Sequence, residues 1–273
     1  MLSDGKVGKR TVKMFNNAKT IVIKIGTSTL TYETGMLNLR KVEEICKIVS
    51  DLKNSGRRIV LVTSGAVSAG WVKLGHTARP SSLEEMQAAA AVGQCELMSL
   101  YDKYIIEYGH VVAQILLTKD AVENPERRRN AENTFRLLLE RGCIPIVNEN
   151  DAISSDEIRF GDNDTLSAYV AVLAGADLLI NLSDIDALYD SDPRKNPDAK
   201  KLSEITDVDS VYKMAEGSGT LRGTGGMVTK LDAAKIAGAA GIHMMIASGK
   251  EPDILYRIAG GENVGTLFVP PER

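Results

Sequence analysis

The chain has 273 residues, with 33 Lys plus Arg against 36 Asp plus Glu and a formal net charge of −3. That length suits one large α/β domain or two small ones, and the near-neutral balance gives no electrostatic basis for nucleic-acid binding. No apolar run approaches the ~18 residues of a membrane span, and no secretory pattern opens the sequence. Cys46, Cys95 and Cys143 are odd in number and scattered, which predicts reduced core thiols in a cytoplasmic protein. His76, His110 and His243 are too dispersed to predict a metal site.

Residues 1–18 are polar and irregular and read as a mobile leader, with one domain spanning 19–273. Thr20-Ile21-Val22-Ile23-Lys24-Ile25 is a short β-branched run, the pattern of a strand buried on both faces. A helix is predicted at about 38–54, with Val42, Ile45, Val49 and Leu52 on one face and Gly56 beyond its end. Arg58–Thr63 is the next strand, and Ser82-Leu83-Glu84-Glu85 forms a capping box that opens a long helix. Further strands are expected at Val111–Leu117, Ile144–Asn148, Leu178–Leu182, His243–Ala247 and Thr266–Val269, with helices at 126–141, 164–175 and 227–240. Asp190–Lys201, with Pro193 and Pro197, reads as a surface loop. Strands alternating with helices predict a three-layer αβα sandwich around a mainly parallel sheet.

In such folds ligands bind where parallel strands end, so the strand-end residues carry the functional signal. The first strand ends Lys24-Ile25-Gly26-Thr27-Ser28 and the second Thr63-Ser64-Gly65. A later one ends Asn148-Glu149-Asn150-Asp151, followed by Gly161-Asp162-Asn163-Asp164; another ends Ser183-Asp184. A lysine inside an apolar strand is costly unless its ammonium meets an anion. The plainer alternatives are a snorkelling edge residue for Lys24 and a helix N-cap for Asp164. Calcium-loop spacing is absent from this segment, and Thr63-Ser64-Gly65 lacks the elbow of a serine hydrolase.

The densest signal is Gly223-Thr224-Gly225-Gly226-Met227-Val228-Thr229-Lys230. Glycines entering a helix let backbone N–H groups close on an anion, and Lys230 adds a full positive charge. No Walker A spacing occurs, and the glycines at 217 and 219 do not complete a dinucleotide fingerprint.

Taken together, Thr20–Ser28, Thr63–Gly70, Ile144–Ala152, Gly161–Ala168, Asn181–Arg194 and Thr224–Ala234 resemble the amino acid kinase family, in the family's order. The pairing of Asn148–Asp151 with Gly161–Asp164, and Thr224–Met227 with Lys230, is similar to the branch that phosphorylates the γ-carboxylate of L-glutamate. Ser183 stands where that branch commonly has threonine, and Ala187 where it has glycine. Many relatives continue into a C-terminal domain of the kind found in RNA-modifying enzymes, whereas this sequence resembles the single-domain form.

The resemblance implies L-glutamyl 5-phosphate as product, made with ATP and Mg²⁺ at the first step of proline biosynthesis. It also implies inhibition by proline, a glutamyl phosphate reductase acting next, and a homo-oligomer without nucleic acid or membrane. It places Lys24 and Lys230 on the phosphoryl group, with Asp164 as their shared counter-ion. Ser64, Asn148, Asp151 and Asn163 fall on the amino acid, with Asp151 toward the α-ammonium. Gly26, Ser183, Asp184, Thr224, Gly225, Gly226, Met227, Val228 and Thr229 fall beside the nucleotide with the two lysines, and no protein residue is assigned as a metal ligand. A γ-carboxylate with a pKa near ~4.3 is already an ionised nucleophile, so no general base is needed. Acetylglutamate, aspartate, carbamate or a nucleoside monophosphate remain alternative acceptors, although a second phosphate would call for arginines at the strand ends. A nicotinamide oxidoreductase would need Gly-x-Gly-x-x-Gly after the first strand, and a non-catalytic amino-acid sensor has no use for paired lysines.

Overall fold

Residues 20–25 form a strand buried at every position, the middle of the molecule. The computed structural model describes residues 15, 17–76, 80–118, 120–153, 163–191, 196–217 and 225–271. Its strands are β1 (Thr20–Ile25), β2 (Arg58–Val62), β3 (Val112–Leu117), β4 (Ile144–Glu149), β5 (Leu178–Ser183), β6 (Leu188–Tyr189), β7 (Lys201–Leu202), β8 (Glu204–Ile205), β9 (His243–Ser248) and β10 (Thr266–Phe268). Among the described residues the main sheet has the order β3-β4-β2-β1-β5-β9-β10-β8, parallel throughout except where β10 runs against β9. β6 and β7 pair as a separate hairpin, with the Asp190 N–H donating to Lys200 O; residues 192–195 of the expected surface loop lie outside the described residues.

The helices are α1 (Thr27–Leu30), α2 (Leu39–Asn54), α3 (Ala66–Lys73), α4 (Leu83–Ile106), α5 (Asp120–Glu123), α6 (Pro125–Glu140), α7 (Asn163–Leu173), α8 (Val208–Gly217), α9 (Gly225–Ala239) and α10 (Ile254–Ala259). Alternation along β1 sends Ile21, Ile23 and Ile25 to one face, where α2, α4 and α10 cover them with Val42, Ile45, Leu97, Tyr101, Leu255 and Ile258. Val22 points the other way, onto a layer from α6, α7 and α9 that includes Phe135, Leu139, Leu166, Val170 and Leu231. Burying each such side chain is worth about 1.5–3 kcal/mol, so the two faces supply most of the driving force for layering.

Helix starts follow local chemistry. Asn38 accepts from the Lys41 N–H, and Asn124 accepts from Glu126 N and Arg127 N behind Pro125. The capping box forms as predicted: Ser82 Oγ accepts from Glu85 N, while the Glu85 carboxylate accepts from Ser82 N. Those acceptor bonds hold the Glu85 carboxyl below its ordinary pKa.

One packing contact shapes the ligand end. α3 crosses α4 where Gly70 and Gly93 face each other's backbone; a Cβ on Gly70 would stand 1.8 Å from Ala89 O, and one on Gly93 1.8 Å from Ala66 O. No side chain fits at either place.

Several expectations are adjusted. α3 has no side-chain cap and enters through Gly65 at φ 91°, so its start lacked a sequence signal. Of the three cysteines only Cys46 is in the core, where burial pushes its thiol up to about 12; Cys95 is exposed and Cys143 half-buried. At the end of the expected leader, Phe15 and Ala18 are buried in the core.

Candidate active site

Lys24 sits near the C-terminal end of β1, which is central in the sheet, so the snorkelling-edge reading fails. Alternation turns its side chain toward the layer of α7 and α9, where it is 4% exposed. Asp164 lies in the first turn of α7 and is fully buried. Its Oδ1 accepts from Lys24 Nζ at 2.6 Å and from Asn181 Nδ2 at 2.7 Å; its Oδ2 accepts from Lys230 Nζ at 2.9 Å and from Thr229 Oγ1 at 3.3 Å. The carboxylate is thus engaged by two lysines rather than used as a helix cap.

Taking an ion out of water costs several kcal/mol, which only close pairing offsets. One carboxylate shared by two ammoniums leaves these three side chains at net +1, a charge that favours an incoming anion. The adjoining backbone keeps the approach open. A Cβ on Gly26 would stand 3.7 Å from Lys24 Nζ, and a Cβ on Gly226 3.7 Å from Lys230 Nζ. The absence of side chains at both positions fits a phosphate group between the lysines, near the start of α9.

A second cluster lies beside the first and is uncharged. Asn163 opens α7, and its Nδ2 donates to Thr63 O at 2.6 Å, Ser64 Oγ at 2.8 Å and Asn148 Oδ1 at 3.1 Å. Asn148, at the end of β4, donates its Nδ2 to Gln94 Oε1 on α4 at 2.9 Å. Gln94 and Asp151 then share a cleft of about 340 Å³ with Ala66, Cys95, Gln114 and Glu149. Burial raises the Asp151 carboxyl above its ordinary range, the expected response of an anion held in a partly desolvated cleft.

The structure therefore brings Lys24, Asp164 and Lys230 together, and Ser64, Asn148 and Asn163 together next to them. Asn148 is buried with both polar atoms engaged by protein groups, Gln94, Glu149 N and Asn163. Ser183 ends β5 and donates its Oγ–H to the exposed Asp184 at 3.0 Å. Gly225 to Lys230 form the first turns of α9, while Thr224, Gly161 and Asp162 lie outside the described residues. Among the described residues no group of three or more His, Cys, Asp or Glu is arranged to hold a metal, and no helix is long and apolar enough to cross a membrane. Asn181 and Gln94 were missed from sequence. Asn181 carried the same signal as Lys24, a polar side chain inside an apolar strand.

Residues 19–248 match the amino acid kinase family. The chain belongs to that family. This amino acid kinase is 54% identical over 262 residues to a glutamate 5-kinase of Clostridium perfringens, an overlap of 94% of this chain and 97% of the relative. It is 50% identical over 257 residues to a glutamate 5-kinase of Listeria innocua, covering 92% and 93% of the two chains. In fold it is similar to the carbamate kinase of Giardia lamblia bound to AMP-PNP, with a TM-score of 0.68 at 18% identity over 93% of this chain and 99% of that one.

Proposed function

We propose that this amino acid kinase transfers the γ-phosphoryl group of ATP to the γ-carboxylate of L-glutamate, giving L-glutamyl 5-phosphate and ADP at the first step of proline biosynthesis. The observation that carries this reading is the pair of buried lysines on one carboxylate, set directly beside the hydrogen-bonded cluster at Ser64, Asn148 and Asn163 and the cleft that bears Asp151. A γ-carboxylate oxygen attacks the γ-phosphorus and the bond to the bridging oxygen breaks toward ADP. The nucleophile is ionised at neutral pH, so the protein supplies position and charge rather than a base. Lys24 and Lys230 face the oxygens on which negative charge gathers, and Asp164 holds both ammoniums at fixed spacing. Ser183, Asp184 and the first turns of α9 line the nucleotide side. Mg²⁺, brought in with the triphosphate, would supply further charge neutralisation beside the two lysines.

Incubation with ATP, Mg²⁺ and single acceptors, with hydroxylamine as trap, tests the reading. Glutamate should yield a hydroxamate and ADP. Hydroxamate from N-acetylglutamate or aspartate, with none from glutamate, would refute it. The acyl phosphate is unstable, so a reductase consuming it is the natural next enzyme. Proline shares the α-ammonium and α-carboxylate with glutamate and lacks the reacting group. It therefore fits as an inhibitor competing in the Asp151 cleft, and inhibition that glutamate does not relieve would count against that placement.

A further inference from the structure

The polarity of the amide chain is fixed from both ends. Thr63 O can only accept, so the Asn163 group facing it must be the NH₂. The backbone N–H of Glu149 can only donate, and it points at the Asn148 side-chain oxygen at 2.9 Å. Asn148 must then present its NH₂ to Gln94, and Gln94 must answer with its oxygen. The outcome is a Gln94 Nε2 that is buried and, among the described residues, has no hydrogen-bond partner. Flipping the amide to use that NH₂ would set it against the Asn148 NH₂, so the donor is held in reserve by its neighbours. A buried donor without an acceptor costs about 1–3 kcal/mol, a penalty that an arriving acceptor removes.

Gln94 is 8% exposed and forms part of the wall of the cleft that also contains Asp151. The charge-bearing chemistry lies on the far side of the amide chain, at Lys24 and Lys230. On the reading that the substrate is glutamate, its γ-carboxylate points there and its α-groups point into the cleft, where Asp151 pairs with the ammonium. We propose that Gln94 donates from Nε2 to the α-carboxylate of the bound amino acid, a substrate contact that sets selectivity for a free α-amino acid.

Two substitutions separate this role from a structural one. Gln94→Glu keeps an oxygen for Asn148 and replaces the donor by an acceptor; Gln94→Met removes both functions. Turnover gives KM and kcat for glutamate. Binding is read independently as the glutamate concentration that protects Cys95, exposed on the same cleft, from iodoacetamide, followed on its own peptide. Both variants should raise KM and the protecting concentration about 10-fold or more, with kcat within about threefold of the parent. In the unmodified protein 4-aminobutyrate, which lacks the α-carboxylate, should protect at least about tenfold more weakly than glutamate, and Gln94→Glu should shrink that difference. Equal protection by the two compounds in the parent overturns the proposal. So does a KM within about twofold of the parent in Gln94→Glu, or a fall in kcat with KM unchanged, which would mean Gln94 acts only through Asn148. A parent that makes no hydroxamate from glutamate yet shows Gln94-dependent protection refutes the glutamate kinase reading alone. Normal hydroxamate formation with unaltered variants refutes the Gln94 assignment alone.

Discussion

At one end of the site a buried carboxylate holds two ammoniums; at the other, three neutral side chains, Asn163, Asn148 and Gln94, pass hydrogen bonds from Thr63 to a cleft bearing one aspartate. The difference follows from what each end must do. On the proposed reading charge moves at the phosphoryl end, and fixed ions in a dry setting act on moving charge without reorganising. The end proposed for the amino acid would only hold groups whose charge does not change, so directional hydrogen bonds serve it and the desolvation of further ions is avoided. Substitutions at the first end should therefore appear in kcat, and at the second in KM.

The largest effects are expected at the charged end. Lys24→Ala and Lys230→Ala should each lower kcat on the order of 10²–10³-fold. Steady-state kinetics on folded protein would break the comparison if both kept kcat within about twofold, a margin small against that range. Asp164→Asn should lower kcat and also cost about 3–5 kcal/mol in denaturant unfolding, because both buried ammoniums lose their counter-ion.

Next comes Asp151→Ala, which should raise the glutamate KM about 10–100-fold while sparing kcat, since the contact is the same in ground and transition states. Its acid limb sharpens the point. Burial raises the Asp151 pKa, and on the proposed reading its carboxylate form pairs with the substrate's ammonium. As pH falls through that raised value, kcat/KM should drop at a pH above the ordinary aspartate range. In Asp151→Asn that limb should vanish, leaving only the titration of glutamate itself. Stability runs the other way: the buried group favours the folded state when protonated, and that contribution is lost as pH rises through its folded pKa.

The smallest effect is expected at Asn181. It donates to Asp164 Oδ1, but its own Oδ1 is buried without a partner among the described residues. Asn181→Leu removes a support and an unsatisfied acceptor together, so kcat should fall only about 2–10-fold with little change in unfolding midpoint. A loss as large as that of Lys24→Ala would mean the amide, and not the lysines, sets the position of Asp164.

The sheet was legible because β1, β2, β4, β5 and β9 are continuous apolar runs, and Lys24 stood out against that background. α2 and α4 were legible because Asn38 and the Ser82–Glu85 box announce their starts. α3 was not, since a glycine in a left-handed turn replaces any capping side chain. The antiparallel return of β10 and the short β6–β7 hairpin depend on tertiary pairing that a run of two or three residues does not encode. Gln94 was hidden by its setting: a glutamine within a helix is ordinary in sequence, and its meaning arises only when Asn148 turns its amide.

The reciprocal glycine crossing of α3 and α4 has a consequence for how this enzyme can diverge. Ala66 begins α3 just after Ser64, and Gln94 follows Gly93 directly, so the two walls that would grip the amino acid are set by main chain against main chain. A gap fixed by backbone works as a calliper whose jaws cannot be reset by exchanging a side chain at the pivot. New acceptors of different length would have to be accommodated by changes around the rim, at positions such as Ala90, Met98 or Gln114, while the pivot itself stays closed to drift.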